Sequence, residues 1–390
     1  MSERQAWIAL AAVDGVGDVT FHRLLKRYGS ATAALAAVAG YPSGTADRRL
    51  REATTIRLRP GLARRIRAAA DDPFATQRAA TAVGAWLLTP LDRSYPARLH
   101  ELEAPPPVLY GLGTQEHLHQ PQLIAVVGTR RPTAVGRDLA ARIGHRLART
   151  GSVVVSGLAA GVDGAAHLAA LEAGTPTIAV VGSGLDAPGP AMHRRLARRI
   201  VEHGAIVSEL APGVRATRGT FPRRNRIVSG LSAATIVVEA PARSGALITA
   251  HHALEQGRLL LVAPGRPLDR RVAGNLALLR ETPARALTGL DEMVVDLGLD
   301  HASPAAGDAG TSGLSRTAAL SLLTPTQRRV AIALAAGPTT VDRLCRESGL
   351  EAGVVAACLT MLQLRGWARL HGPTQLPAGP LVGMDNDRVP

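Results

Sequence analysis

The chain has 390 residues, with 45 Lys or Arg against 31 Asp or Glu and a formal net charge of +14. That length admits two or three domains with an ample core, and a hydrophobic share of 46% is ordinary for a soluble globular protein. The basic excess favours a polyanionic partner, although Lys26 is the only lysine and so arginine-rich a composition is also what a biased genome produces. No stretch is apolar for long enough to span a bilayer, and Met1-Ser2-Glu3-Arg4-Gln5 lacks the charged-then-apolar opening of a signal peptide. Cys345 and Cys358 form neither a disulfide framework nor a zinc spacing with histidines, which suits a reducing compartment. A soluble, cytoplasmic protein without membrane contact or metal is therefore expected.

Residues 1–85 read as a small helical domain. The apolar run 6–13 is broken by Gly15-Val16-Gly17, and Phe21-His22-Arg23-Leu24-Leu25 resumes at helical spacing. A Gly-x-Gly turn between short helices lets backbone amides approach a phosphate, as in helix-hairpin-helix modules; equally, it is a plain turn that needs positive φ. A basic helix is expected over 57–67, with Leu58, Leu62 and Ile66 on one face. Residues 86–104 form a connector, and the proline-rich stretch through Pro105-Pro106-Pro107 should run extended into Val108-Leu109-Tyr110-Gly111.

Between 105 and 298, unalternated Val/Ile/Leu runs at 124–127, 153–155, 177–181, 205–207, 235–238 and 259–262 are separated by helical segments. Such runs suit strands buried on both faces, which predicts an α/β fold with a doubly wound, Rossmann-like parallel sheet. Each run ends in small or polar residues: Gly128-Thr129-Arg130, Ser156-Gly157, Gly182-Ser183-Gly184, Ser208-Glu209, Glu239 and Pro264-Gly265. In open parallel sheets, ligands sit outside the carboxyl ends of the strands. Residues 299–320 read as a flexible linker, 321–372 as a winged-helix-like domain and 373–390 as a disordered tail. Within the winged-helix-like domain, Thr324-Pro325 should cap the first helix, and 353–359, in the position of a recognition helix, is nearly uncharged.

The segment Phe221-Pro222-Arg223-Arg224-Asn225-Arg226 lies between Gly219 and Gly230 and is expected to be a loop on the same rim. Guanidinium forks pair with phosphate oxygens and a ring offers a base a stacking face, so this composition suits a sugar-phosphate chain. Arg130 and Arg131 follow the first strand of the sheet, and Ser156, Gly157 and Gly161 suit an anion cradle near a helix start. Ser244, Gly245 and Thr249 could form a second cradle on the next loop.

Further segments complete a pattern. They are Tyr95-Pro96, Pro106-Pro107-Val108-Leu109-Tyr110, and Val127-Gly128-Thr129-Arg130 with Thr133 and Gly136. They continue with Ser156-Gly157-Leu158-Ala159-Ala160-Gly161-Val162-Asp163 with Ala166-His167, then Gly182-Ser183-Gly184-Leu185-Asp186. Phe221 to Ile227, Ser244-Gly245-Ala246-Leu247-Ile248-Thr249 and Pro264-Gly265 close the series. In this order the chain resembles the DNA-processing protein A family (DprA, also called Smf) over most of its length. The resemblance implies an extended Rossmann-like domain, flanked by an N-terminal helical (SAM-like or helix-hairpin-helix-like) domain and a C-terminal winged-helix-like domain. It implies single-stranded DNA binding without sequence preference, self-association as a homodimer, and loading of the RecA recombinase during natural transformation or recombination. No cofactor is implied. Arg130 matches the family arginine after the first strand, and Phe221 to Arg226 the phosphate-gripping segment. Gly189-Pro190 and His193 depart from the family pattern, as does Glu281-Thr282-Pro283 near the domain's end.

The expected phosphate contacts are thus Arg130, Arg131, Ser156, Gly157, Gly161, Arg223, Arg224, Asn225, Arg226, Ser244, Gly245 and Thr249, with Phe221 stacking on a base. Plainer readings stand beside these. Arg130 could pair with Asp163 or Glu209, Asn225 could only hold its segment through backbone hydrogen bonds, and Phe221 could plug a core edge. Asp163 and His167, at i and i+4, read better as a buried hydrogen-bonded pair than as acid and base. A nuclease needs several carboxylates converging on metal ions, for which only Asp163, Glu209 and Glu239 are available. The expectation is a binding protein and not an enzyme. The alternative is a nucleotide or nucleoside-phosphate hydrolase on the same type of fold, for which Pro264-Gly265-Arg266-Pro267 lacks the usual glycine loop and following Glu.

Overall fold

The computed structural model describes residues 1–42, 44–54, 60–217, 219–299, 320, 323–337, 339–364, 367–371 and 374–377. They fall into two compact units, Met1–Pro304 and Ala305–Pro390. Leu58, the start of the expected 57–67 helix and nearly all of the expected linker lie outside the described residues.

The larger unit is organised by a sheet whose nine described strands are β1 (Trp86–Leu88), β2 (Leu109–Gly113), β3 (Leu123–Val127), β4 (Val153–Ser156), β5 (Thr177–Val180), β6 (Ala205–Ser208), β7 (Ala234–Val237), β8 (Leu259–Val262) and β9 (Arg285–Ala286). Their order is β1-β2-β6-β5-β4-β3-β7-β8-β9. Every pairing from β6 through β9 is parallel, and β1 and β2 run antiparallel at one edge. The chain winds outward from β3 in one direction through β4 to β6, then returns to β7 on the other side of β3. That reversal makes a topological switch point at β3 and β7, where loops part to opposite faces and leave a crevice.

The six strands read from the sequence are β3 to β8. Successive residues on them enter opposite cores: Ala125, Val155 and Val180 one side, Ile124, Val154 and Ile236 the other. Residues 86–104, assigned above to a connector, supply the edge strand β1. Three residues are too few for a periodicity to register, and its pairing with β2 is a tertiary choice.

Six helices precede the sheet: α1 (Glu3–Ala11), α2 (Asp18–Tyr28), α3 (Ala31–Ala39), α4 (Ala46–Thr54), α5 (Leu62–Asp71) and α6 (Ala75–Ala82). The first five share a core of Leu10, Phe21, Leu24, Leu35, Leu50 and Ile66. This helical unit is docked on the sheet. Ile8 and Ala80 join Tyr110, Leu158 and Ile206 in one cluster, and Trp7 Nε1 donates to the Pro107 carbonyl at 2.7 Å. Within and after the sheet come α7 (Ala97–His100), α8 (Ala134–Arg149), α9 (Val162–Glu172), α10 (Arg194–His203), α11 (Thr220–Leu231), α12 (Gly245–Glu255), α13 (Ala273–Glu281) and α14 (Leu290–Asp296). Helices α8 and α9 cover one face of the sheet, while α11 and α12 cover the other. The fold is the doubly wound α/β architecture expected.

The smaller unit packs helices Pro325–Ala335, Val341–Ser348 and Ala352–Leu364 against a three-stranded sheet. Thr324 and Gln327 form a capping box with Pro325 in the first turn. Val330, Leu334, Leu344, Leu359 and Trp367 make its core. Thr374–Pro377, expected within a disordered tail, is instead the central strand, pairing with both Ala368–His371 and Thr339–Thr340. Its Gln375 is buried, and one polar residue turned inward hides the alternation that marks a strand.

Candidate nucleic-acid interface

A cleft of about 510 Å³ opens at the switch point, above the carboxyl ends of β3, β4 and β7. Its walls are the β3–α8 loop, the β4–α9 loop, the first turns of α11 and the β7–α12 loop. Arg130, Arg131 and Arg243 line it; all three are exposed, and none makes an ion pair among the described residues. Arg130 lies over the Phe221 ring, its Cζ 5.0 Å from the centroid, which holds the guanidinium at the mouth without neutralising it. Phe221 is half-buried, with part of its ring open to the cleft. Ser244 caps α12 by accepting from the Ala246 amide at 3.3 Å, and Gly245 presents bare backbone beside it. Thr249, one turn on, is buried at the floor.

The arginine-rich segment is not a loop but the start of helix α11. Pro222 falls in the first turn, where a missing amide is harmless. Helical spacing then splits the segment between two faces. Phe221, Arg224, Asn225 and Val228 meet the cleft, whereas Arg223 and Arg226 point toward the helical unit. Arg226 Nη2 donates to Asp18 at 2.8 Å and to Glu209 at 2.6 Å, and Arg223 donates to Asp18 at 3.1 Å. These two cations, expected in the cleft, therefore clamp α2 to the sheet. Burial pushes the Glu209 carboxyl up, opposed by the Arg226 guanidinium.

Arg224 does line the cleft, but as a buried brace. Its Nη1 donates to the carbonyl of Gly157 at 2.7 Å and to that of Val180, tying α11 to the ends of β4 and β5. Burial brings its guanidinium down to about 10, against the pull of Asp163, so it stays a cation at neutral pH. A Cβ at Gly157 would stand 2.5 Å from this guanidinium, so only glycine lets the arm lie there. Asn225 Nδ2 donates to the Gly245 carbonyl at 3.1 Å, the backbone-holding role weighed above.

Ser156 and Gly161 are not among the residues that line the cleft. Ser156 is fully buried and donates to the Val126 carbonyl at 2.6 Å, because the side chain at a strand end alternates into the core. Gly161, at φ +87°, brings the β4–α9 loop against the β3–α8 loop; a Cβ there would meet the Arg130 backbone and Pro132 at 2.7 Å. Asp163 and His167 are both buried but not bonded to each other. Asp163 accepts from the amides of Gly157 and Ala159 at 3.1 and 3.3 Å, and burial raises its pKa against the pull of Arg224. Thr177 Oγ1 commits its proton to the Val154 carbonyl, so His167 Nδ1 donates to Thr177 Oγ1 at 2.7 Å. Burial pulls this imidazole down to about 3. Glu239 accepts from the Thr133 amide and hydroxyl at the start of α8, the latter at 2.7 Å.

Sequence reading missed three residues. Arg243, in the cleft wall, sits directly before the expected cradle and carried that signal in plain view. Asp18, the acidic first-turn residue of α2, gave no hint of its distant arginines. Asn275 is buried and bonded to the backbone at Val238, Ala240 and Ala263, joining the ends of β7 and β8. A second depression of about 520 Å³ lies across the wall formed by Arg130, Gly157, Phe221 and Arg224, bounded outside by the Gly182–Pro190 loop.

The family model for DNA recombination-mediator protein A matches residues 86–298. Models for the DprA-like N-terminal HHH domain and the DprA winged helix domain match 1–59 and 315–372. Protein Smf from Synechocystis sp. is 32% identical over 398 residues, covering 94% of this chain and 96% of the relative. DNA processing protein A from Streptococcus pneumoniae superposes with a TM-score of 0.63 at 30% identity, over 76% of this chain and 98% of that one. DNA processing protein A from Helicobacter pylori, solved for its single-stranded DNA binding mode, gives 0.51 at 30% identity, over 55% of this chain and 96% of that one. With one model matching the whole sheet domain and a relative aligned nearly end to end, the chain belongs to the DNA recombination-mediator protein A (DprA/Smf) family.

Proposed function

We propose that this protein binds single-stranded DNA without sequence preference, holding phosphates at Arg130, Arg131 and Arg243 and a base against Phe221. The observation that carries the proposal is the set of three exposed, unpaired arginines around a cleft that also offers a half-buried ring and bare backbone. Cations without carboxylate partners are free to displace counterions from a phosphate chain, and stacking tolerates any base. The single-stranded DNA binding described for the Helicobacter pylori relative supports the same reading. Arg224, Asn225, Gly157, Gly245 and Thr249 shape the cleft around the strand.

The reading extends to a recombination mediator without a catalytic step. Asp163, Glu239 and Glu209 are each engaged with different partners, an arrangement that favours bracing over metal-assisted hydrolysis. Loading of RecA, a homodimeric state, a cytoplasmic location and a part in natural transformation belong to the same proposal and rest on the family resemblance. Among the described residues no helix is long and apolar enough to cross a membrane. The test is salt-titrated binding of single-stranded and duplex oligonucleotides by wild type and by the Arg130→Ala and Arg243→Ala variants. Each variant should flatten the salt slope on single strands by about 0.7 per phosphate lost. Slopes unchanged in both would refute the site, and release of free base from nucleoside monophosphates would reinstate the hydrolase alternative.

A further inference from the structure

Helix α10 carries Arg194, Arg195, Arg198 and Arg199 within its first two turns, and none of them makes an ion pair or side-chain hydrogen bond among the described residues. Some exposed helix arginines elsewhere do find a carboxylate, as Arg343 finds Glu347 at 2.7 Å and Arg142 faces Asp138 at 4.0 Å. Glu202, one turn beyond Arg198, makes no such pair among the described residues. The arrangement also works against the helix. Arg194 and Arg195 stand at its positive end, and 194/198 and 195/199 are like charges at i, i+4. Local stability would select against this pattern, so it points to an external anion.

Position supplies the second argument. The α10 N-terminus follows β5, so it rises at the same rim as the cleft. The depression beyond the Arg130–Phe221–Arg224 wall is bounded by Asp186, Ala187 and Gly189, and these residues also border a groove of about 660 Å³ floored by Arg194, Ala197 and Arg198. His193, directly before α10, donates from Nδ1 to the Leu158 carbonyl at 3.1 Å, which joins the helix start to the cleft's own β4–α9 loop. The acids in the groove are Asp186, whose Oδ1 accepts from the Gly213 amide at 2.7 Å, and Glu202. Three depressions thus share walls in series, with unpaired arginines at both ends.

We propose that the arginines of α10, led by Arg194 and Arg198, hold the phosphates of the same single strand after it leaves the cleft and crosses the Gly182–Pro190 loop. This rests on the single-strand reading above and extends the site by a second electrostatic station. The occupant is a continuous strand, since only a chain already seated in the cleft gains from cations one groove further on.

The experiment measures binding of the full-length protein to oligothymidylates. Lengths run from those a single-strand binding fold covers, about 4–16 nucleotides, to several times that. Wild type, Arg194→Ala/Arg198→Ala, Arg130→Ala and Arg243→Ala are compared across a salt series. The α10 variant should match wild type on the shortest strands and fall about tenfold on long ones near physiological salt, with a slope flatter by about 1.4. Arg130→Ala should weaken binding at every length. Thermal melting of the α10 variant should equal or exceed wild type, because like charges have been removed. Long-strand binding by the α10 variant at the wild-type level, with Arg130→Ala still impaired, overturns this inference alone. Equal loss at all lengths also overturns it, placing α10 inside the minimal site. If wild type fails to bind single strands, or neither Arg130→Ala nor Arg243→Ala alters binding, the proposed function falls and this inference with it.

Discussion

Replacing Arg224 by Ala and Arg130 by Ala should have opposite consequences, although both residues line one cleft. Arg224 is buried and its guanidinium donates to the carbonyls of Gly157 and Val180. Hydrogen bonds from a charged donor contribute about 1.5–3 kcal/mol each, so losing both should destabilise the larger unit by about 3–6 kcal/mol. The loss also removes the cation that offsets burial of Asp163. At about 2–4 °C per kcal/mol, the melting temperature should fall by at least about 6 °C. Arg130 is exposed and lies over the Phe221 ring, with no ion pair among the described residues, so Arg130→Ala should change stability by under about 1 kcal/mol while flattening the salt slope. The assay is paired: thermal melting, and fluorescence anisotropy with labelled oligothymidylate, on the same preparations. An Arg224→Ala protein that melts with wild type yet loses DNA would refute the assignment of Arg224 as a brace and make it a ligand arm.

Three further outcomes follow from the geometry. Gly161→Ala forces a side chain into φ +87° and against the Arg130 backbone, so it should destabilise by at least about 1–3 kcal/mol and weaken DNA binding by shifting the loop that carries Arg130; calorimetry and anisotropy check both. His167 is held neutral by burial, which pulls its imidazole from the ordinary 6.5 down to about 3. In that window only the unfolded chain takes the proton, so stability should fall by about 1.4 kcal/mol per pH unit as pH drops from 6.5 toward 3; a His167→Gln variant should show a shallower fall in melting temperature against pH. Asp18→Ala removes one of two carboxylates from Arg226, whose side chain is 14% exposed. The expected loss lies between the under 1 kcal/mol of an exposed pair and the roughly 3–5 kcal/mol of a buried one, with the DNA salt slope unchanged.

The sheet was legible because its strands are buried on both faces, which leaves runs such as Val153-Val154-Val155 with no polar interruption. The rim was legible too, since glycines and arginines follow the strand ends in chain order. The sorting of the arginines was not read correctly. Phe221, Arg224, Asn225 and Val228 carry the i, i+3, i+4, i+7 spacing of a helix, and a proline in the first turn fits that start. Polar composition and the flanking glycines made the segment read as a turn. Asp18, which Arg223 and Arg226 share, could not have been read as their partner at all, because it lies 205 and 208 residues away from them. Likewise nothing local marks Ser156 as a core residue; its hydroxyl is spent on a neighbouring strand.

Because Phe221 through Arg226 lie on consecutive turns of α11, their assignments depend on phase as much as on identity. Adding or deleting one residue near Pro222 would rotate everything downstream by about 100°. The brace would then swing out of its socket, and a clamp arginine would be carried toward the opening. The segment can therefore tolerate exchange of one side chain for another of like chemistry far better than any change in its length.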